Sequence, residues 1–282
     1  MTSVSTPSSS EETAYAEVIG DPIEHSRSPL IHQYWLDALA IAATYRRTLV
    51  RAEDMESHVA AARANPKWRG SNVTMPLKRL ALDLTEAATD RAVTAGAANL
   101  LLIREGKLFA ANTDVGAIAT LVDRQRDYGR RIDSVTLFGS GGAARGALVA
   151  LKLLGIDQVR IQARDMAAAS KLAVEFGLAL GPRPFTDRVD SDMLINATPL
   201  GMAGYECLNC DLTLLPPEGL VFDMVSNPAD TPLIVAAKTR GGLAVVTGLD
   251  MLVEQAATSF KLMFGKDPPR DRDAELWHIL RP

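Results

Sequence analysis

The chain has 282 residues, 47% apolar and 23% charged, which excludes a wholly disordered chain, a collagen or a coiled coil; at roughly 150 residues per domain the length predicts two domains with cores of their own. Thirty Lys and Arg stand against 34 Asp and Glu, so a formal charge of -4 offers no general attraction to nucleic acid or an acidic membrane, and a small molecule is the expected partner. No apolar run reaches the ~20 residues of a membrane span, no secretory signal opens the chain, and two cysteines make no disulfide framework; these features predict a cytoplasmic protein, and both a monomer and a homodimer fit them.

Residues 1 to 13 are small and polar with one Pro, a composition that predicts a disordered tail. AYAEVIG and YRRTLV then read as strands on either side of a helix from Leu30. A second helix near residues 52 to 64 leads into SNVT. LLLIR and LFAAN, joined at Glu105-Gly106, read as a hairpin. After a polar helix over residues 115 to 130 come five β-rich runs, SVTLFG, VRIQAR, DMLINAT, LVFDMV and AVVTG, separated by helices or loops as in an open doubly wound sheet. Beyond Gly248 the pattern is helical and is expected to cross back to the first half. The predicted architecture is therefore α/β: a substrate domain over residues 14–113 completed by 249–282, and a Rossmann-type dinucleotide-binding domain over 114–248. A hinge is expected near Asp114 and Gly248, where the chain passes between them.

Gly139, Gly141 and Ala144 have the G-x-G-x-x-A spacing between a strand and a helix, with Ser140, Gly142 and Ala143 completing the turn. Small residues there allow a tight turn and close approach of backbone N–H groups to a pyrophosphate, so the turn is a candidate cofactor site rather than a bare connection. The next strand ends in Arg164-Asp165. Arg164 suits the 2′-phosphate of NADP and Asp165 the free ribose hydroxyl of NAD; NADP is preferred because a guanidinium also stacks on adenine.

In the first half, three polar segments follow predicted strands: GDPIEHSRSP at residues 20–29, NVTMPLK at 72–78, and Asn99 with Asn112-Thr113-Asp114. Ligands in such sheets bind outside the carboxyl ends of strands, so these segments are expected to share one crevice. Taken singly each has a plainer reading: Ser28-Pro29 serves as a helix N-cap followed by Pro, and Thr74 with Pro76 as a helix start.

Together, and in this order, they resemble the shikimate dehydrogenase family. Its G-x-P-x-x-H-S-x-S-P stands here as GDPIEHSRSP, its N-V-T-x-P-x-K as NVTMPLK and its x-N-T-D-x-x-G as ANTDVGA, while INATPLGM matches the loop after a cofactor-domain strand and GLDMLVEQA the helix that returns to the substrate; the likeness runs over residues 18 to 269. The resemblance implies an NADP-dependent oxidoreductase that interconverts 3-dehydroshikimate and shikimate. It implies that Ser26 and Ser28 bind the substrate carboxylate, that Thr74, Asn99 and Gln255 bind its hydroxyls, and that Thr198, Gly248 and Met251 border the cofactor with the glycine turn. Lys78 would be the proton donor and Asp114 its orienter, with the reverse assignment left open. The chemistry itself asks for such a pair, because a hydride arriving at a carbonyl carbon leaves an oxygen that must be stabilised and protonated.

The chain departs from the family pattern at Ser226, where D-x-x-Y-x-P has Tyr, at Leu100 and Ala111, and at the N-R-T segment, of which only Arg164 remains. A divergent member is expected, so a quinate or aminoshikimate dehydrogenase using NAD, or a noncatalytic metabolite-binding regulator, are the alternatives. Ser28 favours shikimate, since members acting on quinate often carry Thr there. Cys207 and Cys210 form a lone C-x-x-C without companion ligands and are read as loop residues; no metal is expected.

Overall fold

The computed structural model describes residues 13–185 and 188–281, so the tail expected over residues 1–13 lies, apart from Thr13, outside the described residues. The first half contains β1 (Ala14–Gly20), α1 (Ser28–Ala38), β2 (Ala43–Leu49), α2 (Met55–Ala64), β3 (Trp68–Val73), α3 (Lys78–Asp83), β4 (Ala87–Ala88), α4 (Asp90–Ala95), β5 (Leu100–Arg104) and β6 (Lys107–Ala111). Its six strands lie in the order β2-β1-β3-β5-β6-β4. All run parallel except β5, which is antiparallel to both neighbours. Helices cover both faces, which is why β1 is buried through its last five residues instead of alternating.

One of those buried residues is Glu17, which is fully enclosed. Burial by itself would raise its carboxyl. Hydrogen bonds from His58 and Thr48, with the charges of His58 and Arg46, outweigh that and hold it below the usual value. A carboxylate in a sheet interior is tolerated only with such partners.

The second half holds β7 (Ser134–Phe138), α6 (Gly142–Leu153), β8 (Gln158–Gln162), α7 (Met166–Phe176), β9 (Met193–Asn196), β10 (Leu220–Asp223), α8 (Pro232–Arg240) and β11 (Ala244–Val246), following the long α5 (Thr113–Asp127). Its sheet is wholly parallel, in the order β11-β10-β9-β7-β8. A parallel bridge from Gln162 to Arg183 adds one more rung beyond β8. Counting that rung as the third strand, the order is the doubly wound 3-2-1-4-5-6 with its switch point between β7 and β9.

The last helices, α9 (Gly248–Phe264) and α10 (Asp273–Leu280), return to the first half. Leu249, Val253, Phe260, Leu276 and Leu280 pack there with Trp35, Leu36 and Leu100. Trp35 and Phe260 meet edge to face, 5.5 Å between ring centres, and Phe260→Ala would cost about 3–5 kcal/mol. Thr247 and Asp250 form a reciprocal capping box that fixes where α9 begins.

Several boundaries lie a few residues from the sequence reading, and two of them have a local cause. α5 starts at Thr113 rather than 115 because the Asn112 side chain accepts from the Val115 N–H and caps it. Ser28 is not the N-cap of α1. Arg27 holds that place already in helical geometry, because a tight turn in which Ser26 N–H bonds Ile23 O feeds straight into the helix. The two-residue β4 and the short α4 are absent from the sequence reading because they carry too few residues for a periodic signal, and α3, whose start is read near Thr74 and Pro76, begins at Lys78.

Candidate active site

The carboxyl ends of β1, β3 and β6 and the start of the antiparallel β5 lie along one edge of the first sheet. The turn after β1 and the turn after β3 are tied together where Asp21 N–H donates to Met75 O at 3.1 Å. Asn99 is inserted between β3 and β6: its carbonyl accepts from Val73 N–H and its N–H donates to Ala111 O. All three polar segments therefore reach the same edge.

There the first residue of α3 meets the first turn of α5. Lys78 Nζ donates to Asp114 Oδ2 at 2.6 Å, and their side chains are 25% and 13% exposed, shielded yet open to a small molecule. The carboxylate sits at the positive end of α5, where an anion is favoured. The Lys78 carbonyl accepts from Ala98 N–H at 2.8 Å, so the backbone that aims the lysine is joined to the segment carrying Asn99.

Beside the ion pair lies a buried polar network. Asn99 Nδ2 donates to Thr113 Oγ1 at 2.9 Å and to Gln255 Oε1 at 3.4 Å, while Asn99 Oδ1 accepts from Thr113 N–H at 2.7 Å. Thr113 Oγ1 and Ser259 Oγ are 3.1 Å apart. Asn72 Nδ2 donates to Ser259 Oγ, and Tyr45 Oη donates to Asn72 Oδ1 at 2.7 Å. Asn99 and Gln255, both expected at the site, are thus held by Thr113 and Ser259, with Asn72 and Tyr45 behind them. The sequence reading assigns no role to Asn72, Thr113, Tyr45 or Ser259. Ser259 follows Gln255 by one helical turn, the spacing that puts two side chains on one face of α9.

Ser28 is buried and Ser26 half-buried, and Ser26 Oγ accepts from Ser28 N–H at 3.4 Å. Two arginines brace this loop: Arg47 Nε donates to Ser26 O at 2.7 Å and Arg27 Nη1 to Leu280 O at 2.6 Å. Thr74, half-buried, is anchored through its N–H to Ile19 O.

At the switch point of the second sheet, Gly139 has φ 108°, and a Cβ there would stand 3.1 Å from Ala197 O, so only glycine lets β7 turn so close to β9. Gly141 and Gly142 are exposed, and a Cβ on either would meet nothing within 4 Å. Ser140 and Ala143 are half-buried, and Ala144 is fully buried against the sheet. α6 begins here without a side-chain cap, leaving first-turn N–H groups over open space, which fits the pyrophosphate of a dinucleotide. Thr198 closes one side: its N–H and Oγ1 both donate to Asn196 Oδ1. Asn196 in turn donates to Asp223, which also receives Val225 N–H and Thr231 Oγ1. Burial raises the Asp223 carboxyl, and those three donors partly offset the effect.

Arg164 is exposed just beyond β8, whereas Asp165 accepts from Ala168 N–H and caps α7. Gly248 opens α9 against the loop after β10, where a Cβ would lie 2.2 Å from Val225 O and 2.6 Å from Ser226 N. Met251, one turn on, packs into the core of the second half, so α9 touches both. Leu100 and Ala111, two of the departures from the family pattern, are buried core residues of the first half. Both cysteines are free thiols outside any helix or strand; burial first, with Asp211 and Asp223 nearby, raises Cys210 to about 11. No cluster of three or more potential metal ligands occurs among the described residues, and no helix among them is long and apolar enough to cross a membrane.

A Rossmann-ordered sheet with an open glycine turn, joined to a second α/β unit that presents a lysine–carboxylate pair, defines an oxidoreductase of the nicotinamide dinucleotide class. Residues 18–101 match the family described as the shikimate dehydrogenase substrate binding domain, and residues 248–275 match the shikimate 5'-dehydrogenase C-terminal domain. Shikimate dehydrogenase (NADP(+)) of Sphingopyxis alaskensis is 42% identical over 94% of this chain and 96% of its own, and that of Mesorhizobium japonicum 38% identical over 92% and 93%. The crystal structure of shikimate 5-dehydrogenase from Thermus thermophilus in complex with NADP(H) and shikimate superposes with a TM-score of 0.83 at 31% identity, covering 95% of this chain and 99% of that one. The chain belongs to the shikimate dehydrogenase family.

Proposed function

We propose that this protein oxidises shikimate to 3-dehydroshikimate, and reduces it back, with NADP. The observation that carries the reading is the contact of Lys78 with Asp114 at the open edge of the first sheet, next to α6, the helix that follows the glycine turn. A Cβ placed on Gly146 of α6 would meet Val115 Cγ2, the neighbour of Asp114, at 4.0 Å.

Residues 14–113 with 249–282 bind substrate and residues 114–248 bind the dinucleotide. Ser26 and Ser28 donate hydroxyl hydrogen bonds to the substrate carboxylate, and Thr74, Asn99 and Gln255 hold the ring hydroxyls. The first turn of α6, with Gly139, Ser140, Gly141, Gly142, Ala143 and Ala144, takes the pyrophosphate, and Thr198, Gly248 and Met251 bound the nicotinamide side. Arg164 pairs with the 2′-phosphate. Asp165, engaged as the cap of α7, is the weaker candidate for reading a ribose hydroxyl, which supports NADP over NAD.

When bound, the dinucleotide would take up the hydride in the oxidation direction as NADP+ and give it up in the reduction direction as NADPH. In the reduction direction the Lys78 ammonium donates a proton to the oxygen that gains charge, and Asp114 holds the ammonium in line and stabilises it between turnovers. In the oxidation direction Lys78 takes the hydroxyl proton. Purified protein with shikimate and NADP should show reduced nicotinamide by its absorbance, formed faster than with quinate or with NAD. A flat trace with every pairing of those substrates and cofactors would refute the reading.

A further inference from the structure

Arg145 lies on α6 immediately after the glycine turn, yet its guanidinium reaches across to the other domain while held by its own. Nε donates to Ala95 O at 2.6 Å, the carbonyl at the C-terminal end of α4. The two terminal nitrogens form a bidentate pair with the Glu175 carboxylate of α7, and the guanidinium also lies over the Phe176 ring, 5.4 Å from its centre. Gly96 makes the approach possible. It has φ +61°, and a Cβ on it would meet Arg145 Nη2 at 3.1 Å.

The segment Arg145 grips is the one that aims the site. Ala95 and Gly96 are followed by Ala97, whose carbonyl accepts from Asn112 Nδ2 at 2.9 Å, then by Ala98, whose N–H donates to Lys78 O, and then by Asn99. A cation at a helix C-terminus is favoured, and a fork held on both sides by a carboxylate loses little further freedom on forming the bond. Glu175 on one side and Ala95 on the other therefore fix a three-point clasp between the helix that begins at the dinucleotide turn and the backbone of the substrate side.

Resting on the dehydrogenase reading above, we infer that Arg145 is a positioning residue: it sets the spacing between the cofactor turn and the Lys78–Asn99 edge and so aligns hydride transfer, without touching either ligand. The guanidinium geometry matters more than the charge, since a lysine cannot bond Ala95 O and both Glu175 oxygens together.

The test uses Arg145→Ala, Arg145→Lys and the milder Glu175→Gln in the full chain. A displacement of about 1 Å in a reacting pair costs on the order of 100-fold. The expected result is a kcat loss of about tenfold or more in Arg145→Ala, with KM for NADP and shikimate changed less than about threefold. Partial recovery in millimolar guanidinium, little rescue by Lys and a smaller kcat loss in Glu175→Gln should accompany it. Amide hydrogen exchange at residues 96–99, read without turnover, should quicken in Arg145→Ala and Glu175→Gln. Should Arg145→Ala not fold, Glu175→Gln alone decides. Unchanged exchange would overturn the proposal, as would faster exchange with parental kcat. An inactive parent protein would count against the dehydrogenase reading only, because the exchange measurement still reads the clasp.

Discussion

His32→Phe should make the protein markedly less acid-sensitive. His32 is fully buried on α1, stacked on Tyr45 with ring centres 4.1 Å apart and planes 2° from parallel, and neither ring nitrogen has a hydrogen-bond partner. Burial alone pulls its pKa from 6.5 to about 3, and the neighbouring rings of Trp35, Tyr45 and Phe260 offer nothing to balance a charge. Between those two values the unfolded chain binds a proton that the folded one refuses, so stability falls as pH falls from 6.5 toward 3. At about pH 5 the gap of about 1.5 units amounts to about 2 kcal/mol, at about 1.4 kcal/mol per unit. Phe keeps the stacked ring, removes two unpaired polar atoms and cannot take up the proton. Urea unfolding of parent and variant at about pH 7.5 and pH 5 measures the effect, and Glu17, present in both, cancels in the comparison. The parent should lose about 2 kcal/mol more than the variant on acidification. Equal losses would refute the argument. Function is linked to this stack because Tyr45 Oη, on the other ring of the pair, fixes Asn72 behind Asn99.

Gly248→Ala drives a methyl group into Val225 O, a contact about 1 Å too short, so either α9 or the loop carrying Ser226 must move. We expect a loss of about 1–3 kcal/mol in thermal or urea unfolding and on the order of 100-fold in kcat; parental values for both would contradict the packing. Arg164→Ala should raise KM for NADP about tenfold or more while leaving the KM for NAD within about twofold, as steady-state kinetics with each cofactor will show, since only the former has a 2′-phosphate for the guanidinium. Asp114→Asn keeps the shape of the Lys78 contact and removes its charge. Its kcat should fall about 10-fold to 100-fold while the Kd for shikimate shifts less than about threefold; a parental kcat would free Asp114 of any part in proton transfer.

Much of this is legible in the sequence because strong local signals mark it. The five runs from SVTLFG to AVVTG read as strands from their β-branched, Gly-bounded pattern, and the glycine spacing at 139–144 places the switch point. Lys78 and Asp114, 36 positions apart, are paired through motif order rather than through any local pattern, and they do meet. What stays hidden depends on contacts between distant segments. Ser259 reads as one more small residue on an apolar helix until Asn72 and Thr113 arrive from other elements. Arg145 looks like part of a glycine-turn helix, and nothing local announces Ala95 O as its partner. A lone histidine such as His32 carries no sign of the aromatic stack that encloses it. Ser-Pro alone suggests a cap at Ser28, and it is silent about the conformation of Arg27.

Proton transfer by Lys78 is tested most directly with Lys78→Met, which keeps the side chain out to Cε and removes the ammonium. General acid–base catalysis contributes about 10²–10⁴-fold. In Lys78→Met the kcat for shikimate oxidation should fall by about 1,000-fold, while the Kd for shikimate, measured by titration calorimetry, shifts less than about threefold. A variant that binds shikimate and turns it over within about threefold of the parent would contradict it.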